Sequence, residues 1–322
     1  MDEKDKLEIG APNIVGTESD SNCAVLLLAH GSPDSVDEVP EFLLRVTGGR
    51  PLLPQVVEEV KYRYGLIGRS PLTELALKQG QLLQQEVGCP VYVGMRNWKP
   101  FVADALHTMI SDHVSRAVVI CLAPQNSRVS VGLYRSTLGN DLPFAIDFVE
   151  SWHDQPLLIK AFAEKLHSGW HRACNEMGKK VPIIFTAHSV PERTITEGDP
   201  YEKQAKETAS LVAREAGLHS QDWSFAFQSQ GMSGGAWLGP AVEETILCLK
   251  AGGYHGVFIQ PIGFLCDHVE VLYDIDIGFK EFAQKQEMLL WRAESLNDSP
   301  LLVKALADVA RCRMAKSARA NS

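Results

Sequence analysis

Short runs of apolar and β-branched residues recur along the chain, and longer stretches with helical spacing separate them. The runs cover residues 24–29, 91–95, 117–122 and 144–149 in the first half, and 182–187, 223–228, 256–262 and 288–292 in the second. Runs that are apolar on both faces are typical of parallel strands covered by helices on both sides. The pattern therefore predicts an α/β protein with two similar doubly wound, Rossmann-like halves.

Apolar residues in the intervening stretches recur every three or four positions, as on one face of a helix. The predicted helices are residues 55–64, 70–88, 156–176, 201–217 and 239–252, several of which end on glycine. The polar stretch at 175–180 predicts the boundary between an N-terminal half, 23–175, and a C-terminal half, 181–315. Residues 1–22 are polar and predict a disordered tail.

The two halves also share sequence. The run Ala24–Pro33 (AVLLLAHGSP) returns as Pro182–Pro191 (PIIFTAHSVP), and Glu150–Ala163 returns as Glu294–Ala307. A repeat of this length indicates two whole supersecondary units whose parallel sheets face a central cleft. Ligands of such sheets bind beyond the carboxyl ends of the strands, where the chain places His30, Arg96, Gln125, His188, Gln228 and residues 263–270.

Composition narrows the partners. The 322 residues carry a net charge of −9, which argues against nucleic acid as a partner. The charged N-terminus lacks the apolar core of a secretory signal, and no apolar run approaches the roughly 18 residues of a membrane span. Seven cysteines are scattered without CxxC pairs. We therefore expect no integral membrane segment and a cytoplasmic location.

Two side chains stand out as candidates for chemistry. His188 follows a strand directly, and Glu270 lies in a stretch that, as a helix after Phe264, would place Asp267, Glu270 and Asp274 on one face. An imidazole with a carboxylate suits a loosely held divalent transition metal or proton abstraction, but not a closed four-ligand structural site. A capping histidine and a solvated acidic face are the alternatives that spacing alone leaves open.

At these residues the chain resembles the ferrochelatase family. The matching motifs, spread over roughly residues 23–312, are Phe185–Glu192 (FTAHSVPE), Gln228-Ser-x-Gly with Trp237–Pro240 (WLGP), Asp267–Asp274 (DHVEVLYD), Tyr64–Leu72 (YGLIGRSPL) and Gly94–Phe101 (GMRNWKPF). The resemblance implies a chelatase-like fold of two Rossmann-like halves. It also implies an enzyme that inserts Fe²⁺ into a porphyrin during haem biosynthesis.

The resemblance further implies roles for residues of the second half. His188 and Glu270 are expected to be the metal-binding and catalytic pair, and Asp274 and Asp276 to be carboxylates that deliver the metal. Gly278 stands where some relatives carry another acidic residue, so a second, outer metal site is not expected.

In the first half, the resemblance implies that Arg63, Tyr64, Ser70 and Tyr134 bind the porphyrin. His30 stands where some bacterial relatives have a tyrosine that faces the metal from the opposite side. It is expected either to ligate iron there or to hold a water. No cofactor is expected beyond the Fe²⁺ substrate, and Cys312 alone cannot hold an iron–sulfur cluster.

The segment Asp34–Arg63 bears on the choice of porphyrin. Relatives that use protoporphyrin IX carry a long hydrophobic lip in this place, and the segment here is too short for one. With Arg45, Arg50 and Arg63 at the expected mouth, the resemblance favours coproporphyrin III, which has four propionates. The alternatives are a protoporphyrin IX ferrochelatase, a sirohydrochlorin cobaltochelatase, a non-catalytic haem-binding protein and an unrelated two-lobed binding protein. A transient haem-accepting protein is an expected partner.

Overall fold

The fold is built on two four-stranded parallel sheets. The computed structural model describes residues 22–230 and 235–320. The strands of the first sheet are β1 (Cys23–Ala29), β2 (Val91–Met95), β3 (Arg116–Cys121) and β4 (Ala145–Val149). Those of the second are β5 (Ile183–His188), β6 (Trp223–Gln228), β7 (Gly256–Pro261) and β8 (Leu289–Arg292). Every predicted strand is therefore present. The predicted disordered tail lies outside the described residues except for Asn22.

Strand order is the same in both sheets, β2-β1-β3-β4 in the first and β6-β5-β7-β8 in the second. Equivalent hydrogen bonds follow the two central strand pairs. After β3, Leu122 N donates to Leu28 O of β1, and after β7, Ile262 N donates to Thr186 O of β5. The structure thus confirms the internal repeat. Strands β1 and β5 lie inside their sheets, at the points where the order of connection reverses, and such points are where α/β sheets bind ligands.

The helices flank these sheets. Those before β5 are α1 (Val39–Val46), α2 (Pro54–Ile67), α3 (Leu72–Val87), α4 (Val102–Ser111), α5 (Val131–Ser136) and α6 (Pro156–Met177). Those after it are α7 (Glu192–Thr196), α8 (Tyr201–Glu215), α9 (Val242–Ala251), α10 (Val269–Leu272), α11 (Lys280–Lys285) and α12 (Pro300–Ala320), with a π-helix over Asp274–Phe279. The predicted helices agree to within a few residues at their ends.

The long helices α6 and α12 each pack on the sheet of the other half. Helix α6 contacts α8, β7 and β8, whereas α12 contacts α3 and β3. As a result, one hydrophobic cluster contains Leu27 of the first sheet together with Phe185 and Phe258 of the second. This exchange of helices holds the two sheets together behind the cleft.

The stretch after β7 differs from its prediction. His268 is extended (φ −163°, ψ −177°), so the helix begins only at Val269. Asp267 precedes the helix, and its carboxylate accepts hydrogen bonds from Ser295 Oγ at 2.7 Å and Asn297 Nδ2 at 2.9 Å. The prediction that Asp267 shares a helix face with Glu270 and Asp274 is therefore wrong. Partners more than 25 residues away along the chain capture its carboxylate instead.

Candidate active site

His188 ends strand β5 and faces Glu270. Its Nδ1 donates a hydrogen bond to the carbonyl of Ser189, and Tyr201 Oη donates to the carbonyl of His188 at 2.9 Å. The first contact orients the ring, and the second holds the backbone that carries it. The free Nε2 lies 3.6 Å from Glu270 Oε1, and about a third of each side chain is exposed to the cleft.

A second imidazole approaches the same carboxylate. His268 Nδ1 donates to the carbonyl of Cys266 at 3.0 Å, and its Nε2 lies 3.6 Å from Glu270 Oε2. The ring of Phe264 packs edge-on against both histidines, with centroids 6.4 Å from His188 and 4.6 Å from His268. Sequence reasoning missed His268, and the only signal for it was its place two residues before Glu270.

The surroundings of His188 and Glu270 favour the charged form of each side chain. Burial by itself would lower the pKa of His188, but the charge of Glu270 and its hydrogen bond outweigh burial and raise that pKa to about 9. Burial likewise opposes ionisation of Glu270, yet His188 and then His268 hold the pKa of this carboxyl well below its usual range. Among residues 22–230 and 235–320, no three His, Cys, Asp or Glu side chains are arranged as ligands of one metal ion.

The backbone around Glu270 is anchored to the neighbouring strands. Gln228, the last residue of β6, donates from Nε2 to the carbonyl of Glu270 at 3.0 Å. Thr186 Oγ1 in turn donates to Gln228 Oε1 at 2.7 Å. Thr186 and Gln228 are buried residues of neighbouring strands, so the backbone of Glu270 is anchored to the sheet through their side chains.

Asp274 lines a cavity of about 470 Å³. Its carboxylate accepts a hydrogen bond from Ser229 Oγ and lies 3.5 Å from Arg63 Nη1. Burial raises the pKa of Asp274, and the neighbouring Glu270 charge adds to that effect. Besides Asp274, the cavity is lined by Arg63, Ser229, Glu243, Tyr273, Glu281 and Lys285 among others.

Asp276 points elsewhere. It accepts hydrogen bonds from Nε and Nη2 of Arg292, each at 2.8 Å. Arg292 Nη1 also lies 3.4 Å from Asp267. The structure therefore brings Asp274 to the site beside Glu270, and it engages Asp276 in tying the π-helix to strand β8.

The first half places His30 and Tyr134 at the cleft. His30 Nδ1 donates to the carbonyl of Gly31 at 3.0 Å, leaving Nε2 free. Burial lowers the pKa of His30, partly offset by the Gly31 hydrogen bond and by the charge of Glu270. Burial raises the pKa of Tyr134, and the charge of Glu270 contributes there as well. Both side chains thus lie within electrostatic reach of the carboxylate contributed by the second half.

The hydroxyls of Tyr64 and Ser70 are also enclosed. Tyr64 Oη lies 3.4 Å from Ser32 Oγ, and burial raises the pKa of Tyr64 to about 12. Ser70 Oγ is buried and has no hydrogen-bond partner in the part of the chain that the structure describes. Arg63 is half-exposed, pairs with Glu59 at 3.0 Å, and lies over the ring of Tyr273.

Comparison with known proteins shows the family to which the chain belongs. The sequence model of the ferrochelatase family matches residues 22–314. The chain belongs to the ferrochelatase family. This ferrochelatase is therefore an enzyme of haem biosynthesis, a metal chelatase whose substrates are Fe²⁺ and a porphyrin.

Individual relatives agree with this assignment. The ferrochelatase of Acidobacterium capsulatum is 52% identical over 309 residues, which cover 91% of this chain and 94% of the relative. The coproporphyrin III ferrochelatase of Geobacillus sp. (strain WCH70) is 34% identical over 301 residues, covering 88% and 96%. Similarity in sequence therefore extends over nearly the whole length of this ferrochelatase.

A solved structure agrees at the level of the fold. The sirohydrochlorin chelatase SirB of Bacillus subtilis subspecies spizizenii, in complex with cobalt, superposes with a TM-score of 0.57 at 10% identity, covering 91% of this chain and 95% of SirB. The predicted chelatase-like fold of two Rossmann-like halves is confirmed. No helix among the described residues of this ferrochelatase is long and apolar enough to cross a membrane.

Proposed function

We propose that this ferrochelatase inserts Fe²⁺ into coproporphyrin III, with His188 and Glu270 as its metal-binding and catalytic pair. Insertion requires the macrocycle to lose two pyrrole N–H protons while the metal sheds its waters. His188 Nε2 and the Glu270 carboxylate lie 3.6 Å apart and both face the cleft, so they offer a nitrogen and an oxygen ligand together. Two protein ligands leave the other coordination positions open for the macrocycle.

Proton transfer and metal binding compete for the same atoms. A neutral imidazole accepts a proton or binds a metal, but not both at once. The ion pair between His188 and Glu270 means that Fe²⁺ displaces a proton when it binds. Glu270 contacts both His188 and His268, so it connects the metal ligand to a second group that accepts protons.

The Asp274 cavity is the proposed delivery route for the metal. Carboxylates of Glu243, Asp274 and Glu281 line it together with Arg63 and Lys285, and Asp274 is close enough to Glu270 for the two charges to interact. Negative charge in a recess attracts a divalent cation from solution. Of the two carboxylates expected to deliver metal, Asp274 is the one that we assign to this step.

His30 is the proposed ligand on the opposite face of the macrocycle. Its Nδ1 donates a hydrogen bond to the Gly31 carbonyl. Burial lowers the pKa of His30 and so favours the neutral ring, which is the form that binds metals. The internal repeat places His30 and His188 at equivalent ends of β1 and β5. One imidazole from each half then faces the iron of the product.

The choice of coproporphyrin III rests on the short segment Asp34–Arg63. This segment folds into α1 and the greater part of α2, with no long lip insertion to enclose an apolar edge of the substrate. Arg45 and Arg50 are exposed on it, and the buried hydroxyl of Ser70 lacks a protein partner in the described chain. A substrate with four carboxylates uses such donors, and it needs little apolar enclosure.

One observation favours protoporphyrin IX as the second candidate. The same segment and the last turn of α2 that follows it carry exposed apolar side chains. Among them are Leu44, Leu53 and Leu66, which are 43%, 67% and 47% exposed. Such side chains would cover the two vinyl groups that protoporphyrin IX has in place of propionates. The reaction would then be the terminal step of the route.

An anaerobic insertion assay with both porphyrins in matched detergent tests the proposal. We expect a higher kcat/KM with coproporphyrin III, by roughly tenfold to a hundredfold if two extra propionates each gain about 1 kcal/mol. Raising the salt concentration should narrow this preference, because salt screens partly exposed charges. Equal or better turnover of protoporphyrin IX would favour the second candidate. A cytoplasmic location and transfer of product to a haem-accepting protein remain predictions.

A further inference from the structure

Arg96 is held rigidly beside His30. Its backbone N–H donates to the carbonyl of Ala29 at 2.9 Å, and the N–H of Asn97 donates to the carbonyl of His30 at 3.0 Å. These two bonds extend the parallel pairing of β1 and β2 beyond the ends of both strands. Residues 95–97 therefore cannot shift without moving residues 29–30.

Close packing reinforces this arrangement. Gly31 adopts φ +82°, and a methyl group at its Cα would lie 2.8 Å from Trp98 N and 3.1 Å from Met95 Cβ. Trp98 and Met95 are buried, so the segment that carries Arg96 rests directly on the turn after His30. The base of the Arg96 side chain is thus as well fixed as that of His30.

The guanidinium of Arg96 has no acceptor within the part of the chain that the structure describes. It is half-buried, yet its side chain makes no hydrogen bond or ion pair with any residue of 22–230 or 235–320. Its charge acts on both His30 and Tyr134, so it lies on the cleft side of the first sheet. The five N–H donors of such a guanidinium are therefore left to water or to an anion that enters the cleft.

The other arginines near the mouth are already engaged. Arg45 pairs with Glu41 at 2.9 Å, Arg50 Nε donates to the carbonyl of Thr47 at 3.3 Å, and Arg63 pairs with Glu59 and Asp274. Each of them must give up or share an existing acceptor to bind a substrate anion. Arg96 gives up nothing except water.

We propose that Arg96 binds a propionate carboxylate of the porphyrin and so positions the substrate in the cleft. This inference rests on the proposed function, because the propionates are the anionic groups that a porphyrin substrate brings into the cleft. The planar fork of a guanidinium matches a carboxylate in two parallel hydrogen bonds. The same positive charge repels Fe²⁺, which excludes Arg96 itself as a metal ligand.

Binding of a porphyrin with and without its carboxylates tests the proposal. The ligands are coproporphyrin III and its tetramethyl ester, in matched detergent, with Kd measured from porphyrin fluorescence. We expect Arg96→Leu to weaken binding of coproporphyrin III by roughly tenfold or more, and to leave binding of the ester unchanged. Arg96→Lys should restore part of the loss, since it keeps the charge but not the fork.

The matched control is Arg311→Leu, which removes the same charge from an exposed pair with Glu86 on the outer surface. It should bind both ligands as the wild type does. Equal binding of coproporphyrin III by Arg96→Leu and wild type would overturn the proposal. An equal loss of the acid and the ester would also overturn it, because the residue would then act through shape alone.

Failure of this inference is distinguishable from failure of the proposed function. The wild-type insertion rates with the two porphyrins decide the substrate and do not involve Arg96. The comparison of acid with ester decides whether Arg96 binds a carboxylate, and it applies equally to protoporphyrin IX and its dimethyl ester. Matching thermal melts of wild type, Arg96→Leu and Arg96→Lys ensure that the comparison concerns folded protein.

Discussion

The carboxylate of Asp276 accepts two parallel hydrogen bonds from Arg292, with Nε–Oδ1 and Nη2–Oδ2 distances of 2.8 Å. Arg292 belongs to β8, and Asp276 lies in the π-helix two residues after Asp274. The pair therefore fixes the π-helix against the second sheet. Asp274 and Asp276 are close in the sequence but have different surroundings. Asp276 pairs with Arg292, whereas Asp274 lines the cavity.

Substituting Asp274 and Asp276 one at a time should separate metal delivery from stability. Asp276→Asn should lower the free energy of unfolding by about 1 kcal/mol, since it weakens a charge-assisted pair that is partly exposed, and should largely preserve insertion. Asp274→Asn should raise the KM for Fe²⁺ by roughly tenfold. It should not lower stability, because burial already disfavours the charged form of Asp274. Urea unfolding and anaerobic kinetics measure both. A loss of insertion in Asp276→Asn without a loss of stability would return metal delivery to Asp276.

The pair His188–Glu270 should be indispensable for insertion. We expect His188→Ala to reduce the rate at least a hundredfold while porphyrin binding changes little, since a ligand and a proton acceptor are lost together. Glu270→Gln should be comparably slow, because an amide neither accepts a proton nor attracts Fe²⁺. Glu287→Gln is the control for charge, as Glu287 is 90% exposed. Near-normal turnover in either site variant would refute that residue's role.

His30 should determine the spectrum of the product complex. His30→Ala removes the free Nε2 from the cleft, so the visible bands of bound ferric product should shift and the product should dissociate faster. His107→Ala, an exposed change on α4, provides the comparison. Absorption spectroscopy and stopped-flow transfer to an excess of apomyoglobin measure the two effects. An unchanged spectrum would mean that another group, or water, faces the iron.

Gly31 should tolerate no side chain. Both Gly31 and Gly68 have positive φ, but a Cβ at Gly68 meets nothing within 4 Å, whereas one at Gly31 meets backbone at 2.8 Å. Gly68→Ala should therefore cost about 1 kcal/mol for its backbone conformation, and Gly31→Ala about 1–3 kcal/mol more for the clash. Urea unfolding compares them. Equal costs would show that the contact with Trp98 relaxes easily.

A structural carboxylate should make stability depend on pH. Asp222 is buried, pairs with Lys180 at 2.6 Å, and accepts from His219 N at 2.9 Å, and these contacts lower its pKa. A carboxyl whose pKa is lower in the folded state stabilises the fold above its ordinary pKa, and this contribution disappears as the pH falls through the folded value. Asp222→Asn should thus cost about 1–2 kcal/mol at pH 7, and the difference from wild type should shrink at pH 3. A difference independent of pH would contradict this account.

Much of the fold was readable in the sequence because it depends on local patterns. The inner strands β1, β3, β5 and β7 are short apolar runs buried on both faces, and the repeat around His30 and His188 shows two similar units. Parallel topology then directs the carboxyl ends of β1 and β5 to one cleft. The candidates His188 and Glu270 followed from those positions together with the family resemblance.

The course of the chain after β7 was not readable in this way. A continuous helix from Phe264 would have satisfied the local pattern, but Asp267 is captured by Ser295 and Asn297, and the π-helix changes the spacing after Tyr273. Contacts with residues far away along the chain therefore overrode the local helical preference.

Only the tertiary structure decided which side chains pair. His268 and His188 both approach Glu270, Asp276 pairs with Arg292, and Arg96 has no acceptor among the described residues. Each of these pairings depends on where a charged group lies relative to residues of other helices and strands. The type of a side chain and its spacing in the sequence do not determine that position. The physical reason is that burial and the nearest opposite charge determine what an ionisable group does. Both are properties of the folded chain.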